Sequence, residues 1–138
     1  MLERSVLALG IIALGVGGYL VARQIQLLVL KRNGLAAAPG LEDFRSGLPA
    51  ILYFTTPRCV PCRTIQRPAV NDLKEEYSDS LQIIEIDAAA RSEVAAHWGV
   101  LSVPTTFVLD GSGSPLHVNH GVARAHKLRK QLTAVRAR

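Results

Sequence analysis

The chain has 138 residues and a formal net charge of +5, a length that allows one compact domain and excludes a large multidomain enzyme. Its 49% hydrophobic and 20% charged residues describe a globular chain rather than a disordered one, and a mean hydropathy of +0.21 places an apolar excess somewhere along it. Only two cysteines occur, Cys59 and Cys62, which excludes a multi-disulfide scaffold and leaves one pair to be judged by its spacing.

The apolar excess sits at the N-terminus. Ser5 to Ala22 runs for 18 residues without a charge, about 27 Å as a helix and close to the hydrocarbon thickness of a bilayer. Apolar character resumes from Ile25 to Leu30 and ends at Lys31 and Arg32. A cleaved signal peptide is the competing reading, because Ala36, Ala37 and Ala38 resemble a small-residue cleavage site. That site lies far beyond a normal signal's apolar region and is followed by Pro39. Residues 1–32 are therefore expected to be an uncleaved membrane anchor in contact with lipid, 33–40 a linker marked by Gly34, Pro39 and Gly40, and 41–138 the folded domain.

Within the domain, Leu41 to Ser46 is expected to be a short helix. Ala50 to Phe54 is an apolar run of strand length, the pattern of a strand covered on both faces. From Cys59 to Tyr77, the residues Cys62, Ile65, Ala69, Leu73 and Tyr77 recur at helical spacing, with Pro68 as an expected kink. Leu81 to Ile86 is a second apolar strand, and a helix from Ala90 to Trp98 stops at Gly99. Thr105–Leu109 and Leu116–Asn119 form a hairpin across Asp110-Gly111-Ser112-Gly113. A last helix starts near Ala123 with Ala125, Leu128, Leu132 and Val135 on one face. The order α-β-α-β-α-β-β-α gives an α/β domain with parallel strands joined through helices, followed by an antiparallel pair.

The chemistry lies in Arg58-Cys59-Val60-Pro61-Cys62-Arg63, a Cys-x-x-Cys where a strand ends and a helix begins. A thiol at a helix N-terminus faces unpaired N–H groups and the positive end of the dipole, which favours its thiolate, and Arg58 and Arg63 add positive potential. Cys59 is the expected nucleophile. Cys62, one turn further in, is placed to attack a mixed disulfide on Cys59 and release the product. Pro61 suits a first turn, where its missing N–H costs nothing. Two other readings stay open, half of a zinc site and an inert structural pair. Zinc would need two more ligands, and His117 and His120 are the candidates without a second cysteine pair. No metal and no cofactor beyond a Cys59–Cys62 redox disulfide is expected. His97 and His126 are expected on solvated helix faces.

Two motifs make residues 41–132 resemble the thioredoxin family. Phe54 through Cys59-Val60-Pro61-Cys62 is similar to the family's Cys-Gly-Pro-Cys site, and Trp98 through Val103-Pro104-Thr105 is similar to the segment that leads into its Val/Ile-Pro-Thr. The resemblance implies a thioredoxin-like fold with a central mixed sheet flanked by helices, a cis proline at Pro104, and Val103 with Pro104 presenting backbone to a substrate chain. It implies a protein thiol:disulfide oxidoreductase that acts on protein cysteines and is recharged by a redox partner. The sequence departs from the family pattern in four places. Tyr53 stands where the family has a buried Asp, leaving Glu85 or a water as substitute. Arg58 replaces a Trp. Pro68 follows Cys62 by six residues rather than five, which shifts the kink. The family's first strand is not evident before Leu41.

Charge is unevenly distributed. Residues 33–121 hold 6 Lys/Arg and 10 Asp/Glu, whereas Val122 to Arg138 holds Arg124, Lys127, Arg129, Lys130, Arg136 and Arg138 with no acid. That basic helix is expected either to be solvated or to rest on anionic headgroups. The acidic remainder and the lack of interleaved aromatics argue against nucleic acid. Around the anchor, Arg4 on one side against Arg23, Lys31 and Arg32 on the other puts the domain on the cytoplasmic face, whereas anchored members of the resembled family favour the outer face. The alternative function is a non-catalytic module of the same fold that binds a membrane partner.

Overall fold

The N-terminal apolar run forms one helix, α1 (Leu2–Asn33), in a computed structural model that describes residues 2–33 and 38–136. Ala36 and Ala37 of the cleavage-like run, residues 34–37 of the expected linker, and residues 137–138 lie outside the described residues. Ser5–Ile25 within α1 is long and apolar enough to cross a membrane. Within that span Leu7, Ile11, Leu14 and Leu20 are exposed. The chain divides into two units, one through Gly34 and one from Leu35.

The second unit is built on β1 (Ala50–Thr55), β2 (Gln82–Asp87), β3 (Thr105–Leu109) and β4 (Pro115–His120). The sheet order is β2-β1-β3-β4, with β1 and β2 parallel and the other pairs antiparallel. Alternation along the two central strands divides the core into two layers. Ile51, Tyr53 and Val108 face α2 (Arg67–Tyr77) and α4 (Ala125–Arg136) in a cluster with Cys62, Leu73, Leu128 and Leu132. Ala50, Leu52, Phe54, Phe107 and Leu109 face the other way, against Leu41, Val94 of α3 (Ser92–His97) and Trp98. Among the described residues no strand precedes β1.

Several elements differ from the sequence expectation. Leu41 to Ser46 is a pair of turns rather than a helix. The N–H of Leu41 bonds to Ala38 and that of Phe44 to Leu41, and Gly40 and Gly47 bracket the segment at positive φ. Its apolar i, i+3 pair is the spacing of a turn that packs Leu41 into the core, and too short a stretch lies between the glycines to repay helix nucleation. Helix α3 starts at Ser92 rather than Ala90, because Asp87 Oδ1 accepts the N–H groups of Ala89 and Ala90 and holds them in a turn. Its end is a Schellman motif: Gly99 at φ 67 donates to Ala96 and Val100 donates to Ala95. Helix α4 begins at Ala125 rather than Ala123, leaving Ala123 buried in the preceding turn.

The largest difference lies after the cysteines. Cys62–Gln66 is a π turn, closed by the Arg67 N–H bonding back to the Cys62 carbonyl, and α2 continues from it. A π turn takes up one extra residue without breaking the helix, which accounts for the six-residue spacing from Cys62 to Pro68. Pro68 then falls in the first turn of α2. Ile65 is 38% exposed, and Gln66, at 0%, takes the buried position on the face of Ala69, Val70 and Leu73.

Candidate active site

Strand β1 delivers the site. It ends at Thr55, and Thr56, Pro57 and Arg58 turn the chain so that the Cys59 N–H bonds to the Thr56 carbonyl. Pro61 sits in helical conformation at φ −64 immediately before the π turn, where a missing N–H forfeits no hydrogen bond. Cys59 and Cys62 are joined as a disulfide with their Cα atoms 5.2 Å apart. The two sulfurs differ in environment. Cys62 is wholly buried in the α2/α4 core layer, whereas Cys59 is only partly buried at its margin. Cys59 Sγ also accepts the Cys62 N–H at 3.2 Å. An N–H aimed at a sulfur stabilises negative charge there, so the exposed sulfur is also the one the helix start serves.

Tyr53, at the position of the family's acid, lies in the same core layer, and its hydroxyl donates to the Cys62 carbonyl at 3.1 Å. That carbonyl therefore takes a second donor beside the Arg67 N–H that closes the π turn. Burial pushes the Tyr53 phenol above its ordinary value, so this group is neutral at physiological pH. Glu85, its register partner on β2, turns outward to form a 2.7 Å ion pair with Arg67.

Val103 and Pro104 arrive from the other side of the sheet. Thr105 pairs with Phe54 in the β1/β3 register, so Pro104 lies one step beyond, level with Thr55 at the strand end from which the cysteine loop departs. The Val103–Pro104 bond is cis. Val103 packs against both core layers, and Cys59 packs against the layer that holds Cys62. A cleft of about 400 Å³ runs alongside, lined by Ala88, Ala95, Ala96, Val100, Leu101 and Val103 among others. Leu101 is 96% exposed at its rim. Arg58 and Arg63 are both exposed on either side of the cysteine pair. The fold thus gathers Arg58, Cys59, Pro61, Cys62, Arg63, Val103 and Pro104 at one end of the central strands. His117 and His120 lie on β4, at the far edge of the sheet from β2.

Three side-chain bridges were not read from the sequence, and the first of them lies at the site. Gln66 donates from Nε2 to the Ala123 carbonyl at 2.9 Å and accepts the Ala123 N–H at 2.8 Å, tying the π turn to the loop before α4. Trp98 donates from Nε1 to the Pro39 carbonyl at 2.7 Å and packs against Phe107. Gln82 bridges Arg45 and Leu48 through its side chain. A glutamine in an otherwise apolar stripe is the one signal the sequence offers for the first of these.

A thioredoxin fold carrying a Cys-x-x-Cys disulfide at the end of its central strand is the class this geometry defines. The family model described as thioredoxin matches residues 42–134, and the chain belongs to that family. It is 33% identical over 67 residues to a thioredoxin of Pyropia yezoensis, covering 49% of this chain and 62% of that one. To the thioredoxin of Bacillus subtilis it is 41% identical over 56 residues, covering 41% and 53%. The chain thus spans less than two thirds of the length of either relative. Among solved structures, the X-ray structure of Fasciola hepatica thioredoxin superposes with a TM-score of 0.57 at 27% identity, covering 65% of this chain and 83% of that one.

Proposed function

We propose that the chain is a thiol:disulfide oxidoreductase tethered to a membrane by α1, exchanging electrons with protein cysteines through its Cys-Val-Pro-Cys site. The observation that carries the reading is the asymmetry of the pair: one sulfur partly exposed beside a helix start, its partner buried behind it. In the reduced form the Cys59 thiolate attacks a substrate disulfide, one substrate sulfur leaves as a thiol, and a mixed disulfide forms. The Cys62 thiolate then attacks Cys59, the second substrate sulfur leaves, and two electrons have passed to the substrate. Arg58, Arg63 and the start of the helix at Pro61 favour the Cys59 thiolate, and Val103 with Pro104 offers backbone to an extended substrate segment. A separate redox partner restores the dithiol. The charges around α1, with Arg23, Lys31 and Arg32 C-terminal to the apolar stretch, favour a cytoplasmic domain.

Insulin-disulfide reduction tests the reading. The full chain in micelles is expected to precipitate insulin in the presence of dithiothreitol well above the reductant alone, and Cys59→Ser is expected to lose the effect. Equal rates for the two proteins would leave the site as a non-catalytic docking module.

A further inference from the structure

The positive charge beside the exposed sulfur is unequally compensated. Arg67, Arg91 and Arg129 each hold a glutamate at 2.7–2.8 Å, and Arg136 bonds to Ser80 while lying over the Tyr77 ring. Arg63 makes no ion pair among the described residues, but it lines a cleft of about 270 Å³ together with Arg67, Glu85 and Asp87, so acids share its surroundings. Arg58 is exposed and has no carboxylate or hydrogen-bond partner among the described residues. It is also adjacent to Cys59, its Cα about 3.8 Å away. An exposed, unpaired arginine adds little to stability, and here it stands directly beside the sulfur that a substrate cysteine would approach.

The Val103 side of the site carries no charge. The cleft beside Val103 is lined by alanines, Val100, Leu101, Thr56 and serines, with no ionisable side chain. A substrate segment laid across Cys59 and along Val103 therefore meets a fixed cation on one side and an uncharged surface on the other. Discrimination by charge falls to Arg58.

We infer that Arg58 is a specificity-determining residue which selects protein disulfides whose attacked cysteine is flanked by Asp or Glu. The inference rests on the oxidoreductase reading and names the substrate class of that same site. The expected preference opposes the intrinsic chemistry. A carboxylate beside a disulfide repels an incoming thiolate and raises the pKa of the leaving thiol, so a small dithiol reduces such a disulfide more slowly than a neutral or basic one. A preference for acidic flanks must therefore come from the protein.

The test uses the pre-reduced full chain in non-ionic micelles, mixed in single-turnover experiments with three fluorogenic peptide disulfides that carry Glu, Gln or Lys beside the attacked cysteine. Dithiothreitol serves as the protein-free reference. The wild-type chain is expected to reduce the Glu peptide about five-fold faster than the Lys peptide in dilute buffer, the scale of one exposed charge pair acting on encounter. That ratio should fall below about two in 1 M salt, where the Debye length is about 3 Å. Arg58→Lys keeps the preference and Arg58→Glu reverses it, whatever either variant does to the absolute rate. A wild-type ratio no greater than that of dithiothreitol, or one that Arg58→Glu leaves unchanged, overturns the inference while the neutral Gln peptide still reports turnover. Failure to reduce any of the three peptides overturns the oxidoreductase reading, and this inference with it.

Discussion

The helix face buried after the cysteines makes an energetic prediction opposite to that of side-chain hydrophobicity alone. Hydrophobicity alone would bury Ile65 and leave Gln66 toward solvent, although Gln66 stands three, four and seven residues before Ala69, Val70 and Leu73 of the buried face. In the structure Gln66 is fully buried and its amide satisfies both the N–H and the carbonyl of Ala123, itself 0% exposed. Gln66→Leu fills the same space but orphans both of those backbone groups. Each orphan costs about 1–3 kcal/mol, and the leucine's own burial returns part of it, so the net loss is about 2–4 kcal/mol. That is a large share of the roughly 5–15 kcal/mol that stabilises an ordinary domain. Ile65→Ala removes a side chain that is 38% exposed and gains helix propensity, for a loss under about 1 kcal/mol. The assay is urea unfolding of the oxidised full chain in micelles, followed by the fluorescence of Trp98, the only tryptophan, whose contact with Phe107 reports the core. Comparing midpoints at constant slope gives the two losses. A larger loss for Ile65→Ala than for Gln66→Leu would refute the buried position of Gln66 and the role given to its amide.

Three further outcomes are expected. The Arg91 guanidinium, helped by the Gly40 N–H, lowers the Glu42 carboxyl from an ordinary 4.5 to about 2. A carboxyl depressed in the folded state contributes stability that is present above its unfolded value and lost as pH falls. Thus Glu42→Gln should flatten the stability profile between pH 4.5 and about 2 and leave its shape unchanged above pH 6, as followed by acid titration of Trp98 fluorescence. In the reduced chain, iodoacetamide labelling against pH should give Cys59 a midpoint below the free-thiol value of about 8.5, with Cys62 reacting later; the reverse order would invert the assigned roles. A reporter enzyme active only outside the membrane, fused after Arg138, should be silent if the charges flanking α1 set the orientation, and strong activity would place the domain on the outer face.

Period-two and strand-length apolar runs made the sheet legible. Thr105–Leu109 was expected and found with the same ends, and β1, β2 and β4 differ from expectation by a residue at one or both ends. These signals are local, because both faces of a central strand need apolar cover. Cys59, Cys62 and Pro104 were legible through motif spacing, and the β1/β3 register explains how residues more than forty positions apart in sequence converge. What escaped depends on non-local hydrogen bonds or on a change of helical period. Gln66 reaches Ala123 and Trp98 reaches Pro39 across 57 and 59 residues, and neither contact leaves a periodic trace. The stripe through Ile65 took the apolar residue over Gln66, its polar neighbour in the same helical phase as Ala69 and Leu73, and the single hint of the π turn was Pro68 arriving one residue late. The 41–46 turns imitated a helix because Leu41 and Phe44 stand three apart and both face the core.

The central claim, that Cys59 attacks and Cys62 resolves, is tested most directly by trapping. Each single-cysteine chain in micelles is incubated with a protein disulfide substrate, quenched in acid, and its mass measured under non-reducing conditions. The account predicts that Cys62→Ser accumulates a mixed disulfide through Cys59, since the resolving thiolate is gone, and that Cys59→Ser traps little because the remaining sulfur is buried. Abundant adduct on Cys62 in the Cys59→Ser chain, with none on Cys59 in the other, would contradict it.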